Sequence, residues 1–160
     1  MKPKGKLLHL PSQHIRRSSR TVFGFIEPIH AVVIGANGGV GGSVVDKLLE
    51  APNLNHIWAT SRDVGHLAHR WPSNRIHAVE LDITNERSVR SLAEQTSGKG
   101  PLNLVMNCSG RLHTEQYGPE RSWKHLDVDV MRSVFEVNTF GVALLVKHLI
   151  PLMTMKQRSI

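Results

Sequence analysis

The sequence predicts an α/β fold in which a parallel sheet carries helices on both faces. Two observations predict it: strand-like apolar runs alternate with helical patterns from Ile29 onward, and the first run ends in a cluster of glycines. Parallel strands need crossover connections, which helices usually supply. We therefore expect one doubly wound domain over residues 29–160, with a separate segment, residues 1–28, before it.

The glycine cluster follows the first predicted strand, His30–Ile34, and opens the first predicted helix, Val40–Glu50. Five glycines stand within residues 35–42. They let the turn tighten and let backbone N–H groups approach a phosphate, while a helix N-terminus adds free donors and partial positive charge. A turn without any ligand is the alternative. The residues predicted to hold a pyrophosphate are Gly35, Asn37, Gly38, Gly39, Val40 and Gly41.

The later elements continue the alternation. Pro72 closes the second helix, and the Gly- and Pro-containing residues 97–101 break the third. Thr84 is the predicted N-cap of that third helix, with Glu86 in its first turn. The predicted elements are strand His56–Thr60, helix Asp63–Trp71, strand Arg75–Leu81, a helix from Thr84 to about Thr96, strand Leu102–Cys108, and helical sequence from about Arg121 to about Met155.

Composition is that of an ordinary globular domain. Of the residues 40% are apolar, and no apolar run approaches the roughly 18 residues of a membrane span, so we expect no membrane segment. The single cysteine, Cys108, excludes an internal disulfide and fits a reducing compartment, which predicts a cytoplasmic protein. Of the net charge of +7, residues 1–29 carry +5, so we expect the domain to bind no nucleic acid.

Residues 1–28 form a basic segment of their own. It contains six Lys or Arg residues with serines and prolines, and it lacks the apolar core of a secretory signal. An organelle transit peptide is one interpretation, supported by Arg16-Arg17-Ser18-Ser19-Arg20, and it would make the protein organellar. A disordered extension and a start codon placed too early are the other interpretations.

The glycine spacing is Gly-x-x-x-Gly-x-Gly, at Gly35, Gly39 and Gly41. This pattern resembles the short-chain dehydrogenase/reductase family, a branch of the Rossmann fold. The resemblance spans about Ile29 to Met153, and residues 119–138 are similar to C-factor-like members in particular. It implies the strand order 3-2-1-4, with the cofactor at the switch between strands one and four. Later strands of the family's sheet are expected to be absent from this chain.

Two further motifs carry the resemblance. Leu81-Asp82-Ile83-Thr84 is similar to the family's Asp-Val motif, which implies that Asp82 contacts the adenine amine and that the backbone N–H of Ile83 meets the ring. A helix cap is the alternative role of Asp82. The second motif, similar to the family's Asn-Asn-Ala-Gly, braces the sheet and lines the adenine ribose, and consists of Asn107, Cys108, Ser109 and Gly110. We expect Cys108 to be a small buried residue and not a reactive thiol.

The end of the second strand discriminates between cofactors. An NAD enzyme places an acid about 20 residues after the glycines to hold the ribose 2′-hydroxyl. Here Thr60 and Ser61 stand at that place and Arg62 follows, and a guanidinium suits the 2′-phosphate of NADP. NADP is therefore predicted over NAD. Two alternatives stay open: Arg62 pairs with Asp63 on the surface, or Asp63 is itself the ribose acid.

The last helix is predicted to carry an apolar stripe, on which Asn138 falls. A polar amide there needs buried partners. In the family an Asn within a segment like residues 137–141 holds a water of the proton relay, so the resemblance implies a catalytic role for Asn138. Helices of this kind also form subunit interfaces, which implies a homo-oligomer. The stripe consists of Met131, Val134, Phe135, Val142, Leu145 and Leu149.

The family's chemistry uses a Ser after strand five and a Tyr-x-x-x-Lys on the following helix, and neither stands in residues 1–160. The lone Tyr117 with Arg121 lies on the wrong element. The resemblance therefore implies an NADP-dependent oxidoreductase of carbonyl or alcohol substrates, of which this chain carries the dinucleotide-binding half. A fragment, an interrupted gene, and a short form acting as a nucleotide-binding or interaction module are all open.

No metal site is predicted. The ten histidines are scattered along the sequence, and His66 and His69, three apart on one predicted helix, indicate a solvated face. We also expect the fourth strand to be an open apolar edge and the chain to self-associate. The apolar residues of that strand are Leu102, Leu104, Val105 and Met106.

Overall fold

The computed structural model describes residues 28–113, 118 and 121–153. Residues 1–27 of the basic segment, Tyr117 and the predicted helix end at Met155 lie outside the described residues. The described chain forms a four-stranded parallel sheet of order β3-β2-β1-β4, so the predicted fold class and strand order are confirmed. The strands are β1 (Ile29–Ile34), β2 (Leu54–Ser61), β3 (Ile76–Glu80) and β4 (Leu104–Asn107).

Helices connect the strands and cover both faces of the sheet. A π-helical stretch, Glu136–Gly141, joins the last two helices, and 3-10 turns stand at Trp123–His125 and Ile150–Leu152. The α-helices are α1 (Gly39–Leu49), α2 (Gly65–Arg70), α3 (Glu86–Ser97), α4 (Val128–Phe135) and α5 (Val142–Leu149).

Strand β1 lies at the centre of two hydrophobic cores, and all six of its residues are buried. Ala31 and Val33 face the core formed with α1 and α2, whereas Val32 and Ile34 face the core formed with α3 and α5. A strand buried on both faces needs a continuous apolar run rather than an alternating one. The run Ala31–Ile34 has that composition, which is why the sequence located this strand well.

The start of α3 differs from the prediction that Thr84 is its N-cap. Asn85 is the N-cap, and its side chain accepts a hydrogen bond from the backbone N–H of Arg87 at 3.0 Å. Thr84 instead belongs to the preceding turn, where its N–H and hydroxyl both donate to Asp82. Glu86 stands in the first turn as predicted, and its carboxylate bonds Lys147 and His148 of α5 at 2.7 and 2.9 Å.

The predicted apolar stripe of the last helix is only partly correct. Leu145 and Leu149 are buried against the sheet. Met131 and Phe135, by contrast, are 39% and 52% exposed, because α4 contributes only Val130 to the buried residues and no described element covers its other apolar side chains. Asn138 is exposed as well, so it does not sit in a buried stripe.

Strand β4 is the edge of the described sheet, and its amino-terminal approach is covered. Leu102 is fully buried, and its N–H donates to the carbonyl of Leu152 at 2.9 Å. Leu102 also forms a parallel bridge with Met153, so the chain after α5 begins to pair on the outer side of β4. The predicted open edge therefore applies to Leu104–Asn107 and not to Leu102.

The helical run Val128–Leu152 is long and apolar enough to cross a membrane by length and composition, with a mean hydropathy of 1.3 in its most apolar stretch. Polar residues interrupt the run, so a search for uninterrupted apolar residues does not find it. In this fold Leu145 and Leu149 of the run pack on the sheet, as a core helix does, and Lys147 bonds Glu86 of α3. The absence of a membrane segment stays a prediction.

Candidate functional site

A cavity of about 740 Å³ opens at the carboxyl ends of the strands. It lies at the switch point of the strand order, where β2 pairs with one side of β1 and β4 pairs with the other. Clefts at such switch points bind ligands in open α/β sheets. The predicted site residues that line the cavity are Gly35, Asn37, Gly38, Thr60, Ser61, Arg62, Asp82, Ile83, Cys108, Ser109 and Gly110.

Five predicted site residues do not line this cavity. Gly39 and Val40 border a separate surface depression along α1. Gly41 is buried beneath the glycine turn. The side chain of Asn107 is hydrogen-bonded within the turn after β4, and the side chain of Asn138 is hydrogen-bonded to the backbone of Arg111.

The glycine turn is shaped by close backbone approaches. Gly35 adopts φ +75°, and a Cβ there would stand 3.0 Å from the carbonyl of Cys108 and the nitrogen of Ser109. A Cβ at Gly41 would collide with the carbonyl of Gly35. Both positions therefore require glycine for the fold itself. The N–H of Ala36 donates to the carbonyl of Thr60 at 2.9 Å, which fixes the turn against β2.

Helix α1 begins at this turn without a side-chain cap. Its N-cap is Gly38, which has no side chain to accept a hydrogen bond, and its first turn carries no acidic residue. The first N–H groups of a helix have no intrahelical partners, and they lie at the positive end of the helix dipole. The arrangement can therefore receive an anion such as a pyrophosphate.

The end of β2 places Arg62 at the cavity and turns Asp63 away from it. The carboxylate of Asp63 accepts the N–H of Gly65 at 2.9 Å, which forms the turn before α2. Arg62 lines the cavity, Asp63 does not, and among the described residues the two form no ion pair. Both alternatives raised by the sequence are therefore disfavoured by this geometry. Thr60 is fully buried there, and its hydroxyl has no hydrogen-bond partner among the described atoms.

Asp82 closes the cavity after β3. Its Oδ1 accepts the N–H and the hydroxyl of Thr84 at 2.9 and 2.8 Å. This is a local turn and not a helix cap, because Asn85 caps α3. The neighbouring Ile83 is buried against Gly141, where a Cβ would meet its side chain at 2.7 Å.

The end of β4 forms a second tight turn. Asn107 Oδ1 accepts the N–H of Ser109 at 3.1 Å and its hydroxyl at 2.6 Å. The N–H of Cys108 donates to the carbonyl of Ile34, which locks this turn to β1. Burial raises the pKa of the Cys108 thiol, so the sulfur stays protonated and is a poor nucleophile. The turn is therefore a scaffold for the cavity wall.

Asn138 clamps the backbone of Arg111. Its Oδ1 accepts the N–H of Arg111 at 2.8 Å, and its Nδ2 donates to the carbonyl of Arg111 at 2.7 Å. Asn138 lies in the π-helical stretch, a deviation that often marks functional sites. Among the described contacts, Asn138 is thus a positioning residue for the loop after β4.

Several cavity residues were not identified from the sequence. Arg111 follows the last residue of the β4 motif, and its charge next to Gly110 was the available signal. Ser133, Glu136 and Val137 reach the cavity from α4 and the π-helical stretch, and no periodicity of the sequence indicates that approach. No group of three or more potential metal ligands occurs in the described part of the chain.

Comparisons with known proteins agree with this fold. Residues 29–159 match the family model of the short chain dehydrogenase. The NADPH-dependent 3-dehydrocapnine reductase of Ornithobacterium rhinotracheale is 28% identical over 127 residues, covering 76% of this chain and 42% of that protein.

Solved structures agree. The Sniffer protein of Caenorhabditis elegans is 30% identical, with a TM-score of 0.65, over 79% of this chain and 54% of that one. The NADPH-bound carbonyl reductase from chicken fatty liver is 25% identical, with a TM-score of 0.66, over 79% and 49%. The chain spans about half the length of the proteins that it matches.

Proposed function

The chain belongs to the short-chain dehydrogenase family, and on that basis we propose that it forms the NADP(H)-binding half of an oxidoreductase acting on a carbonyl or alcohol substrate. The observation that carries the proposal is the cavity at the strand switch, which is lined both by the uncapped terminus of α1 and by Arg62. Its volume of about 740 Å³ falls within the range of roughly 300–1,000 Å³ typical of cofactor and ligand pockets.

The glycine turn supports binding of the pyrophosphate. A Cβ at Gly39 would meet no protein atom within 4 Å, so the fold does not itself require glycine there. Gly39 lies outside the cavity lining but directly follows Gly38, which lines it, so a phosphate bound at the helix terminus would approach its backbone. Gly35 and Gly41 have the opposite character, because their missing side chains make room for neighbouring backbone.

The end of β2 supports binding of the 2′-phosphate that distinguishes NADP from NAD. The Arg62 guanidinium, with no ion-pair partner among the described residues, can make charge-assisted hydrogen bonds to that phosphate. Ser61 lines the same part of the cavity, and the buried hydroxyl of Thr60 borders it. On the adenine side, Asp82 lines the cavity, and its Oδ1 accepts both hydrogen bonds from Thr84.

The nicotinamide supplies or accepts hydride when it is bound. On this chain, Asn138 fixes the backbone of Arg111 beside Gly110, where the cavity continues beyond β4. The names of two matched proteins, an NADPH-dependent reductase and an NADPH-bound carbonyl reductase, support the same cofactor. We assign hydride transfer to a protein in which this half is joined to a Tyr-x-x-x-Lys helix.

A second function, a non-catalytic nucleotide-binding or interaction module, is favoured by one observation. Met131, Phe135 and Val146 expose large apolar surface on the last helices. Exposed apolar surface of this kind marks a contact with another chain or with further residues of the same chain. A homo-oligomer through these helices is the form of this proposal that the family resemblance favours.

The experiment is a titration of the 160-residue chain with NADPH, followed by an assay of NADPH oxidation with aldehydes and ketones. We expect saturable binding without hydride transfer above background. Absence of binding by a folded chain would contradict the NADP(H)-binding function and favour the interaction module. Turnover by the chain alone would show that a proton donor exists among its own residues.

A further inference from the structure

Three histidines that are far apart in the sequence meet on one face of the sheet. His30 on β1 pairs in register with His56 on β2, and Trp58 on β2 pairs with His77 on β3. These three histidines are scattered in the sequence but not in the fold, because the strand register brings them together. They lie near the amino-terminal ends of the strands, at the opposite edge of the sheet from the cavity.

The imidazoles are in direct contact. The ring centroids of His30 and His56 are 5.4 Å apart, and those of His56 and His77 are 5.0 Å apart. His77 Nε2 and His56 Nδ1 form a hydrogen bond at 3.0 Å, in which one ring donates and the other accepts. Trp58 stacks on His77 at 5.4 Å and encloses the cluster from the core side.

His30 is the most enclosed of the three, at 9% exposed. Its Nε2 contacts the amide of Asn55 at 3.3 Å, while its Nδ1 is buried with no hydrogen-bond partner among the described atoms. Gly100 closes over the ring, since a Cβ there would stand 3.2 Å from Cε1. The amide nitrogen of Asn55 donates, so Nε2 accepts, and a protonated ring would need acceptors at both nitrogens that these contacts do not provide.

The charged group that acts on the cluster from outside is positive. Burial, then the charge of His56, and last the charge of Lys99 in the turn after α3 lower the pKa of His77. Asn55 and Asn103 are the polar neighbours of His30 on β2 and before β4, and both are neutral. In the described part of the chain no carboxylate forms an ion pair with any of the three histidines. Nothing nearby therefore compensates additional positive charge.

The geometry limits how many protons the cluster can hold. The His56–His77 contact needs one unprotonated nitrogen, so it can share one proton but cannot persist when both rings carry two. A second or third positive charge would add repulsion at ring separations of 5.0–5.4 Å in a partly buried site. No set of described side chains at this cluster is suited to a metal ion, so the proton is the relevant ligand.

We propose that His30, His56 and His77 form an acid-sensitive lock that holds β1, β2 and β3 together at the amino-terminal edge of the sheet. When His56 and His77 share no more than one proton, their hydrogen bond forms and the three strands are held together. As the pH falls, further protonation breaks the His56–His77 hydrogen bond. Repulsion between the charged rings then pushes β1, β2 and β3 apart at their amino-terminal ends. The same β1 and β2 end at Ile34 and Ser61, which line the cavity, so acid weakens the folded state that would bind the nucleotide.

The direction of the pH dependence follows from the histidine pKa values. Burial, and then the charge of His56, lower the pKa of both His30 and His77 below the ordinary 6.5. The unfolded chain therefore binds protons below about pH 6.5 that the folded chain does not, so stability is full above that pH and falls below it. Each such proton lowers the folding equilibrium constant by up to about tenfold per pH unit.

The test compares urea unfolding of the full chain and of His56→Gln between pH 7.5 and pH 5. Gln keeps a hydrogen-bonding group beside His77 and removes the charge that couples the other two rings. We expect the wild-type folding constant to fall about tenfold further than that of His56→Gln over this range. His66→Gln, on the exposed face of α2 outside the cluster, is the matched control and should follow the wild type.

Equal pH dependence of the wild type and His56→Gln would overturn the proposal. If His56→Gln does not fold, His77→Gln, which removes the other ring of the same hydrogen bond, takes its place in the urea experiment. A smaller pH dependence than that of the wild type supports the lock, and an equal one refutes it.

Discussion

Asn138 and Arg111 are joined by two hydrogen bonds, in which the side-chain amide of Asn138 pairs with both backbone groups of Arg111 at 2.8 and 2.7 Å. The pair connects the π-helical stretch to the loop after β4. Because Arg111 lines the cavity beside Gly110, this bond pair determines where the cavity wall runs.

Substitution of Asn138 by Asp keeps the acceptor for the Arg111 N–H and loses the donor to the Arg111 carbonyl. Asn138→Asp should lower the free energy of unfolding by about 1 kcal/mol and weaken NADPH binding, since a typical hydrogen bond contributes about 0.5–1.5 kcal/mol. Urea unfolding and fluorescence titration measure the two effects. Asn74→Asp, at an exposed position before β3, is the control. An unchanged NADPH affinity would show that the clamp does not shape the site.

Gly39 and Gly41 should respond oppositely to alanine. Gly39→Ala should raise the free energy of unfolding by about 0.4–1 kcal/mol, because the added methyl group meets open space at a helical position. It should nevertheless lose NADPH affinity. Gly41→Ala should destabilise the fold itself by about 1–3 kcal/mol, because its Cβ collides with the Gly35 carbonyl. Thermal unfolding with and without NADPH separates the two cases, and undiminished binding by Gly39→Ala would make the glycines a turn only.

Glu86 should make stability depend on pH in the acid range. Hydrogen bonds from Lys147 and His148 lower the pKa of its carboxyl from 4.5 to about 2. A lowered carboxyl pKa means that the stabilisation is complete above pH 4.5 and is lost as the pH falls toward 2. The urea midpoint of Glu86→Gln should therefore change less than that of the wild type between pH 5 and pH 3. Glu94→Gln, elsewhere on α3, should behave like the wild type, and equal slopes in all three proteins would exclude the role of Glu86.

The exposed apolar residues of α4 should cause self-association. Phe135 is 52% exposed, and Phe135→Glu should lower the average mass measured by light scattering because it places a charge in the contact. Ala143→Glu adds the same charge at another exposed helical position and should have less effect. A wild-type chain that is monomeric at all concentrations would contradict this prediction.

The strands were predictable because their signals are local and repeated, whereas their order was predicted only from the family resemblance. β1 is a continuous apolar run that ends at a glycine, and the motifs at Asp82 and Asn107 mark the ends of β3 and β4. The N-cap at Asn85 was missed because Thr84 is an equally good cap by residue type, and only its bonds to Asp82 exclude it. The π-helical stretch and the Asn138–Arg111 clamp depend on tertiary contact, which no periodicity in the sequence indicates.

The histidine cluster was missed for a related reason. Its members are separated by 26 and 21 residues in the sequence, and they become neighbours only through the register of three parallel strands. A shift of one residue in either pairing would place a ring on the opposite face. Arg62 and Asp63 illustrate the same limit, since both fit the sequence pattern and only the turn before α2 turns Asp63 away from the cavity.

Isothermal titration of the wild type and Arg62→Ala with NADPH and NADH shows whether this chain is an NADP(H)-binding half. The wild type should bind NADPH more tightly than NADH. Loss of the charge-assisted contact should cost roughly 1.5–3 kcal/mol, a weakening of about ten- to a hundredfold for NADPH, with NADH little affected. Arg87→Ala, at an exposed position on α3, should change neither affinity. Equal affinity of the wild type for NADPH and NADH would contradict the account.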